Sequence, residues 1–585
     1  SDVRQIDARV TIDYTDPNMD QSLDYETDSD ANVSYPQQAF DGVKTMSYKW
    51  LSLDGSCTVD GSYHLAPRAD QLDKYQFGWW GHKLSKEDGS FTLSDGIMVS
   101  HLPRPVHTLT VVGDSARGEY PVNFIIDLIA EDGTVLYSKQ VYDNMEVNWQ
   151  FTLPSPVLDV TQQSILIYKW SHPGRQAKIT EFFTSVQETY YKDDIVSIDL
   201  LEEREASQGS LPVGNITSNE LQLTLKNENG KFDADNKMSP LNKLLKPNRR
   251  IRAWIGVNNE WVPLGVFWSL DWDSSSVEAT VTARDKMERL GKSTYQSSQV
   301  QENVSLYVLA EQVLQDAELK TDEYSIDPAL KDIVIPYAWF NAVSHREVLR
   351  QIAEAGLAVV YADRDGIIRI EGFNSGLGLD PLEITDDEYF LPMQHPSQQS
   401  QVSNVVIVNT QPLIPQKEQQ VYKSNTPINI PANGSTSITA YYNQSPIINA
   451  SADLDNPPSG VSIVDAMYYG WGAEVKIQNT KSITQSVKLV INGQSLSAQN
   501  KERTEARDDT SIIENGDLRY EFPENKLVQT IAQAQHIANT LIESVKDSRR
   551  DVSFDWRGNP ALLLGDMVRI EGTDYYVIRQ EIKWR

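Results

Sequence analysis

The sequence predicts a mainly β protein with a minor α+β part: a β-sandwich, then barrel-like domains, with a small α+β module among them. Three observations carry this. From Arg9 to Phe183, short runs of alternating apolar and polar residues are broken by turn residues, and no useful stretch of helical period interrupts them. Two further strand-rich regions, Ile195–Leu290 and Gln401 onward, flank one segment whose apolar residues fall at helical spacing. The chain has 585 residues, 40% of them hydrophobic and 23% charged. That is a globular composition and a length for roughly three or four domains.

Residues 1–190 form the expected sandwich. Val10, Ile12 and Tyr14 alternate with polar partners, and Leu109–Val112, Phe124–Ile129, Val135–Tyr137, Trp149–Leu153 and Ile165–Trp170 follow. Asp132-Gly133 between two of these runs is a hairpin signal. Trp79, Trp80 and His82 lie on a glycine-bounded stretch read as a loop. Exposed indoles there would stack on the apolar face of a pyranose, whereas buried ones would plug the sandwich core. Asp24, Glu26, Asp28 and Asp30 alternate through another loop. Such carboxylates can supply oxygen ligands to Ca²⁺, although the spacing is not that of an EF-hand, and a solvated acidic loop is the other reading.

A barrel-like domain is expected over 191–295, with strands at Leu221–Leu225, Arg249–Val257, Gly265–Trp272 and Val277–Ala283. The small α+β unit spans 296–385. Leu306, Leu309, Val313 and Ala317 mark one helix face, and Ser344-His345-Arg346-Glu347 reads as a capping box opening a second helix that Gly356 stops. The runs Val359–Tyr361 and Ile367–Ile370 then form a hairpin. Residues 386–585 make the second barrel-like domain. It holds an inserted polar β module at about 424–515 and a long amphipathic helix at about 526–546, marked by Leu527, Ile531, Ala534, Ala538, Leu541 and Val545. Strands around Asp566–Ile570 and Tyr575–Ile578 follow, and the strand-like run to Arg585 leaves room for a further domain beyond it.

The net charge is −30, from 52 basic and 82 acidic residues. Phosphate binding needs cations that displace counterions, so this balance argues against specific nucleic-acid binding. An acidic surface would instead repel a duplex. One cysteine, Cys57, excludes an internal disulfide framework and a cysteine zinc site, and it reads as a small buried residue. No apolar run is long enough to span a membrane as a helix, and Ser1-Asp2-Val3-Arg4 opens no signal-peptide pattern. The expectation is a non-enzymatic chain. There is no His-Glu-x-x-His helix and no phosphate-binding glycine loop; in Gly113–Gly118 no glycine stands two residues after Ser115 to build an oxyanion pocket, and no spacing rule brings His101 or His107 to Ser115. No cofactor is expected beyond the Ca²⁺ reading.

Two resemblances add to this. Tyr35–Gly42, Phe77–Gly81, Gly113–Pro121 and Ile165–Phe182 resemble a galactose-binding-type (discoidin-like) β-sandwich. That fold carries sugar-binding loops in some proteins and is a spacer in others. The Phe232–Pro240 loop, Leu264–Phe267, Ala283–Asp285, the helix and hairpin of Ser344–Ile370 and the closing Gly558–Pro560, Leu564–Ile570 and Tyr576–Ile578 resemble the tail-hub (tail-tip, baseplate hub) proteins of tailed bacteriophages. The resemblance implies a structural virion subunit at the distal end of the tail, assembled in the host cytoplasm. It also implies a homotrimeric ring around the DNA passage, with the tail tube, distal tail proteins and tape-measure protein as partners. The alternative is an adhesin recognising host surface glycans through the sandwich. A cell-wall hydrolase is the third reading.

Overall fold

The computed structural model describes residues 6–14, 24–33, 51–52, 54, 56, 63, 78–185, 187–204, 213, 216–237, 239, 241, 244–257, 260–297, 299–372, 380–385, 388–394, 403–546 and 552–585. Cys57, the segment Tyr35–Gly42, Phe77 and Pro240 lie outside them. The chain divides into two compact units: residues 1–199, 221–283 and 583–585 form the first, and 200–220 and 284–582 the second.

In the first unit the sandwich stands as two sheets. One has the order Glu181–Ser185, Ser90–Val112, Asn148–Trp170, Pro121–Ile129, Val135–Val141, with Asp24–Thr27 also on Ser90–Val112. The other joins Asn32–Val33, Trp79–Leu84 and Gln176–Ile179. Alternation sends Val99, Leu109, Val111, Phe124, Ile126, Leu128, Ile165 and Ile167 into one core with Trp170 and Phe182. The Asp132-Gly133 hairpin forms as expected. Gly133 takes φ +83°, a left-handed conformation suited to glycine, and its N–H donates to Ala130 O. The two 23-residue strands slip register between Ser100 and Thr108. Pro103 and Pro105 on one strand, and Pro154 and Pro156 on the other, lack the N–H the ladder needs there.

The strand Ile6–Asp13, read with the sandwich, belongs instead to an eight-stranded sheet. It lies between Gln187–Tyr191 and Arg250–Val257, with Val10 opposite both Tyr190 and Ala253. Its period-2 pattern picked out Val10, Ile12 and Tyr14, all buried, but not the partner, because ladder hydrogen bonds are made by main chain common to all residues. The sheet continues through Glu260–Ser274, Glu278–Arg284, Glu220–Lys226 and Ile195–Glu203 to Arg579–Trp584, whose last two residues fall in this unit. It is open: among the described residues no pair joins its two edge strands, and no other sheet closes. The mainly β class stands, while the barrel form is replaced by open sheets.

The second unit carries five helices among the described residues: α1 (Lys286–Lys292), α2 (Leu306–Asp316), α3 (His345–Gly356), α4 (Asp509–Asn515) and α5 (Ile531–Val545). Leu309 and Val313 of α2, Val348 and Ile352 of α3, Ala534, Ala538 and Leu541 of α5, and Val406 and Val408 share one core. The boundary expected near 385 therefore falls within one shared core: the long helix and the strand Val405–Asn409 complete the α+β unit. The hairpin Ala358–Ala362 and Ile368–Gly372 forms behind α3, with Tyr324–Ile326 added in parallel.

The insertion has its own core, including Val421, Ile430, Ala440, Val475, Ile477, Leu489 and Ile491. Its strands run from Gln419 to Ala498. Arg503–Arg507 and Arg519–Glu521, expected near or within its end, instead flank Val405–Asn409. Leu382–Ile384, Met567–Ile570 and Thr573–Tyr576 form a small closing sheet.

Candidate functional site

Trp79 and Trp80 lie on a strand rather than a loop, and both are buried, at 3% and 6% exposure. Neither offers a free face for a sugar. The Trp79 indole packs in the sandwich core and donates Nε1–H to Thr27 Oγ1 at 2.8 Å. The Trp80 ring lies beneath the Arg117 guanidinium and the Lys178 ammonium. The bounding glycines serve close packing. A Cβ on Gly78 would meet Ile179 O at 2.1 Å, and one on Gly81 would meet the Asp95 carboxylate at 2.2 Å. The stacking role for Trp79 and Trp80 is thereby corrected to core packing.

His82 leaves the core and faces the acidic turn. Its Nδ1 is 3.6 Å from Asp28 Oδ1, and potential ligand atoms of Asp28, Asp30 and His82 lie within 4.8 Å of one another. Asp24 and Glu26 stand on the strand Asp24–Thr27, opposite Ser100 and Met98, outside that group. The two sets of residues expected to act separately are thus partly merged, and the four-carboxylate set is split. Calcium takes six to eight oxygen ligands, and two carboxylates and an imidazole nitrogen meet here. The Asp28 N-terminal turn already spends oxygens on Asp30 N–H and Ala31 N–H, and Lys83 Nζ stands 3.9 Å from Asp28 Oδ2.

A buried ionic network, which sequence spacing did not reveal, sits deeper in the same fold. Lys178 donates to Asp54 Oδ2 at 2.6 Å and to Glu119 Oε2 at 3.2 Å, and all three side chains are nearly inaccessible. Trp170 Nε1–H also donates to Glu119, and Arg175 Nε lies 3.4 Å from Glu119 Oε1. Burial pushes the Asp54 carboxyl up, but the bonds from Lys178, Ser52 and Ser56 outweigh it and hold the group well below the usual carboxylate range. Every charge is paired, so the network ties residues 54, 119 and 178 together rather than presenting a reactive group.

Ser115 is an exposed turn residue. Arg117 N–H donates to Asp114 O at 3.2 Å, and Asp114 Oδ1 accepts from Ala116 N–H, which makes this a plain β-turn. Among the described residues no histidine is hydrogen-bonded to Ser115. His101 Nδ1 pairs with Leu102 O at 2.9 Å, and burial, with the Arg104 charge, lowers the His101 pKa to about 3. A neutral imidazole turned to the main chain does not assemble with Ser115 into a nucleophile–base pair.

No protein-family model and no curated protein matches the sequence. Three solved structures are similar to parts of the chain. The 43 kDa tail protein of prophage MuSo2 from Shewanella oneidensis is 10% identical, covering 68% of this chain and 92% of its own, with a TM-score of 0.37. The prophage tail protein gp18 from Listeria monocytogenes is 8% identical over 68% of this chain and 87% of its own, with a TM-score of 0.35. The Escherichia coli c3393 protein, a type VI secretion component described as similar to T4 tail proteins gp27 and gp5, is 9% identical over 50% and 76%, with a TM-score of 0.26. At these values none of the three likenesses decides the role of this chain.

Proposed function

We propose that the protein is a non-enzymatic structural subunit of the tail tip or baseplate hub of a tailed phage or phage-like particle. It joins the tail tube to the tip and surrounds the DNA passage. The observation that carries the reading is the eight-stranded sheet. It draws Ile6–Asp13, Gln187–Glu203, Glu220–Ser274 and Arg579–Trp584, segments far apart in sequence, into neighbouring ladders. A force along such strands loads many main-chain hydrogen bonds at once, which suits a part that transmits strain within an assembly. The order of residues resembling hub proteins, from Phe232 to Ile578, supports the same role.

In this reading the subunit forms a homotrimer and contacts tube, distal tail and tape-measure proteins. The charge of −30 keeps a lumen from binding the passing duplex. The adhesin reading through Trp79 and Trp80 is not adopted, since both rings are in the core. Antibody labelling of intact particles, viewed by electron microscopy, tests the proposal. Label confined to the tail end opposite the head is expected. Tails without label, with the protein free in the medium, would overturn it.

A further inference from the structure

The inserted module bears a row of aromatic rings that its own core does not use. Tyr441 ends the strand Ser435–Tyr441 and is 70% exposed. Its ring centroid lies 5.4 Å from that of Trp471, which stacks on Tyr469 at 5.1 Å with the planes 6° apart. Tyr442, the next residue, packs against the module core instead.

The row is built, not draped. The turn carrying Tyr469 and Trp471 is closed by Tyr469 N–H donating to Gly472 O, and Tyr442 N–H donates to Trp471 O. Both glycines of the turn are forced by neighbours. A Cβ on Gly472 would meet Ala440 O at 2.4 Å, and one on Gly470 would meet the Trp339 indole at 2.6 Å. Trp339 is itself held by its Nε1–H, which donates to Ser297 O at 3.0 Å. An exposed tyrosine braced in this way gives up little side-chain freedom on binding.

The surroundings specify the ligand's chemistry. In a chain of net charge −30, no Asp, Glu, Lys or Arg occurs from Ser424 to Ala452 or from Ala466 to Ala473. The loop after the tyrosines offers exposed Asn443, Gln444 and Ser445, and Gln419 Nε2–H donates to Gln444 Oε1 at 2.9 Å, which orients that amide. A flat ring face bordered by neutral amides and a hydroxyl matches a pyranose, which has one apolar C–H face and a rim of hydroxyls. A large apolar partner finds a polar border there.

We propose that Tyr441, backed by Trp471 and Tyr469, is a binding platform for a neutral oligosaccharide, with the Asn443–Ser445 loop as its polar rim. The proposal does not depend on the hub reading. It is tested with the full chain on an array of neutral hexose and N-acetylhexosamine oligosaccharides, with sialylated and sulfated glycans alongside. The native protein should be retained by members of the neutral set. Tyr441→Ala should weaken that binding about tenfold, the scale of one lost aromatic contact, with an unchanged melting temperature. Tyr441→Phe, which keeps the ring face, should bind as the native chain does. Retention by no neutral glycan, retention by charged glycans only, or equal binding by Tyr441→Ala would each overturn the proposal.

Discussion

Asp285 caps α1 and is fully enclosed. Its carboxylate accepts from Met287 N–H at 3.0 Å, Asn219 N–H at 2.8 Å and Ser218 Oγ–H at 2.8 Å. Burial pushes the carboxyl up to about 6, against the pull of those donors and of the Arg346 charge. In the unfolded chain the group titrates near 3.8. The folded state therefore holds the proton more tightly, and the associated stability is complete below that value and is lost as the pH rises through about 6. The loss amounts to about 3 kcal/mol, at 1.36 kcal/mol per tenfold change in proton affinity. Thermal melts between pH 4 and pH 7 should show this decline in the native chain and a flatter profile in Asp285→Asn; parallel profiles would refute the assignment. Legibility at this scale was uneven. Ala283-Arg284-Asp285 stands in the sequence pattern that resembles hub proteins, yet the enclosure of Asp285 depends on Ser218 and Asn219, which only folding brings to it. The two readings of Trp79 and Trp80 could be stated from sequence but not decided, because exposure belongs to the neighbours, here Thr27, Ile179 and Asp95.

At the scale of the element, local chemistry was the most legible. The capping signal at Ser344 is realised: its Oγ accepts from Glu347 N–H at 3.2 Å. The reciprocal half goes elsewhere, since the Glu347 carboxylate accepts from Arg350 and Gln351. Ser344→Ala should cost about 1 kcal/mol, the usual worth of an N-cap hydroxyl, measurable as a lower denaturation midpoint. A midpoint within error of the native one would mean that another group satisfies the donor. Gly356 is the last residue of α3, as its position suggested, but the left-handed residue that ends the helix is Leu357, at φ +51°. Its side chain is buried in the same core, and that packing holds a conformation a glycine would adopt at less cost. The long helix begins at Ile531 rather than near 526, because Leu527 and Val528 are buried in the turn before it and Thr530 supplies the cap. A helical period does not separate a buried turn from the helix it precedes.

Across the whole molecule, a buried tie in the second unit is Arg364 with Glu202. Arg364 Nε–H and Nη2–H donate to the two oxygens of Glu202 at 2.9 and 2.7 Å, and Nη2–H also donates to Leu562 O at 3.1 Å. Gln580 Nε2–H completes the carboxylate at 2.7 Å. Four distant stretches meet on one buried pair. Arg364→Met leaves the Glu202 charge enclosed and should destabilise the unit by about 3–5 kcal/mol, whereas the double change Arg364→Met with Glu202→Leu should recover much of that loss. Chemical denaturation of the three chains checks this, and an equal loss in the double variant would count against it. Nothing in the spacing of residues 202, 364, 562 and 580 foretold their meeting. The sequence by itself determined the mainly β class, the inward-facing set Val10, Ile12 and Tyr14, the Asp132-Gly133 hairpin, the Ser344 cap and the existence of an insertion. These follow from period, φ preference and side-chain reach, all of them local. Tertiary structure alone decided that Ile6–Asp13 joins Arg250–Val257, that the sheets stay open, that α5 completes the core of α2 and α3, and that Trp79 and Trp80 are buried while Tyr441 is exposed. Each of these depends on which distant surfaces exclude water from one another, and main-chain hydrogen bonding carries no label for the partner strand.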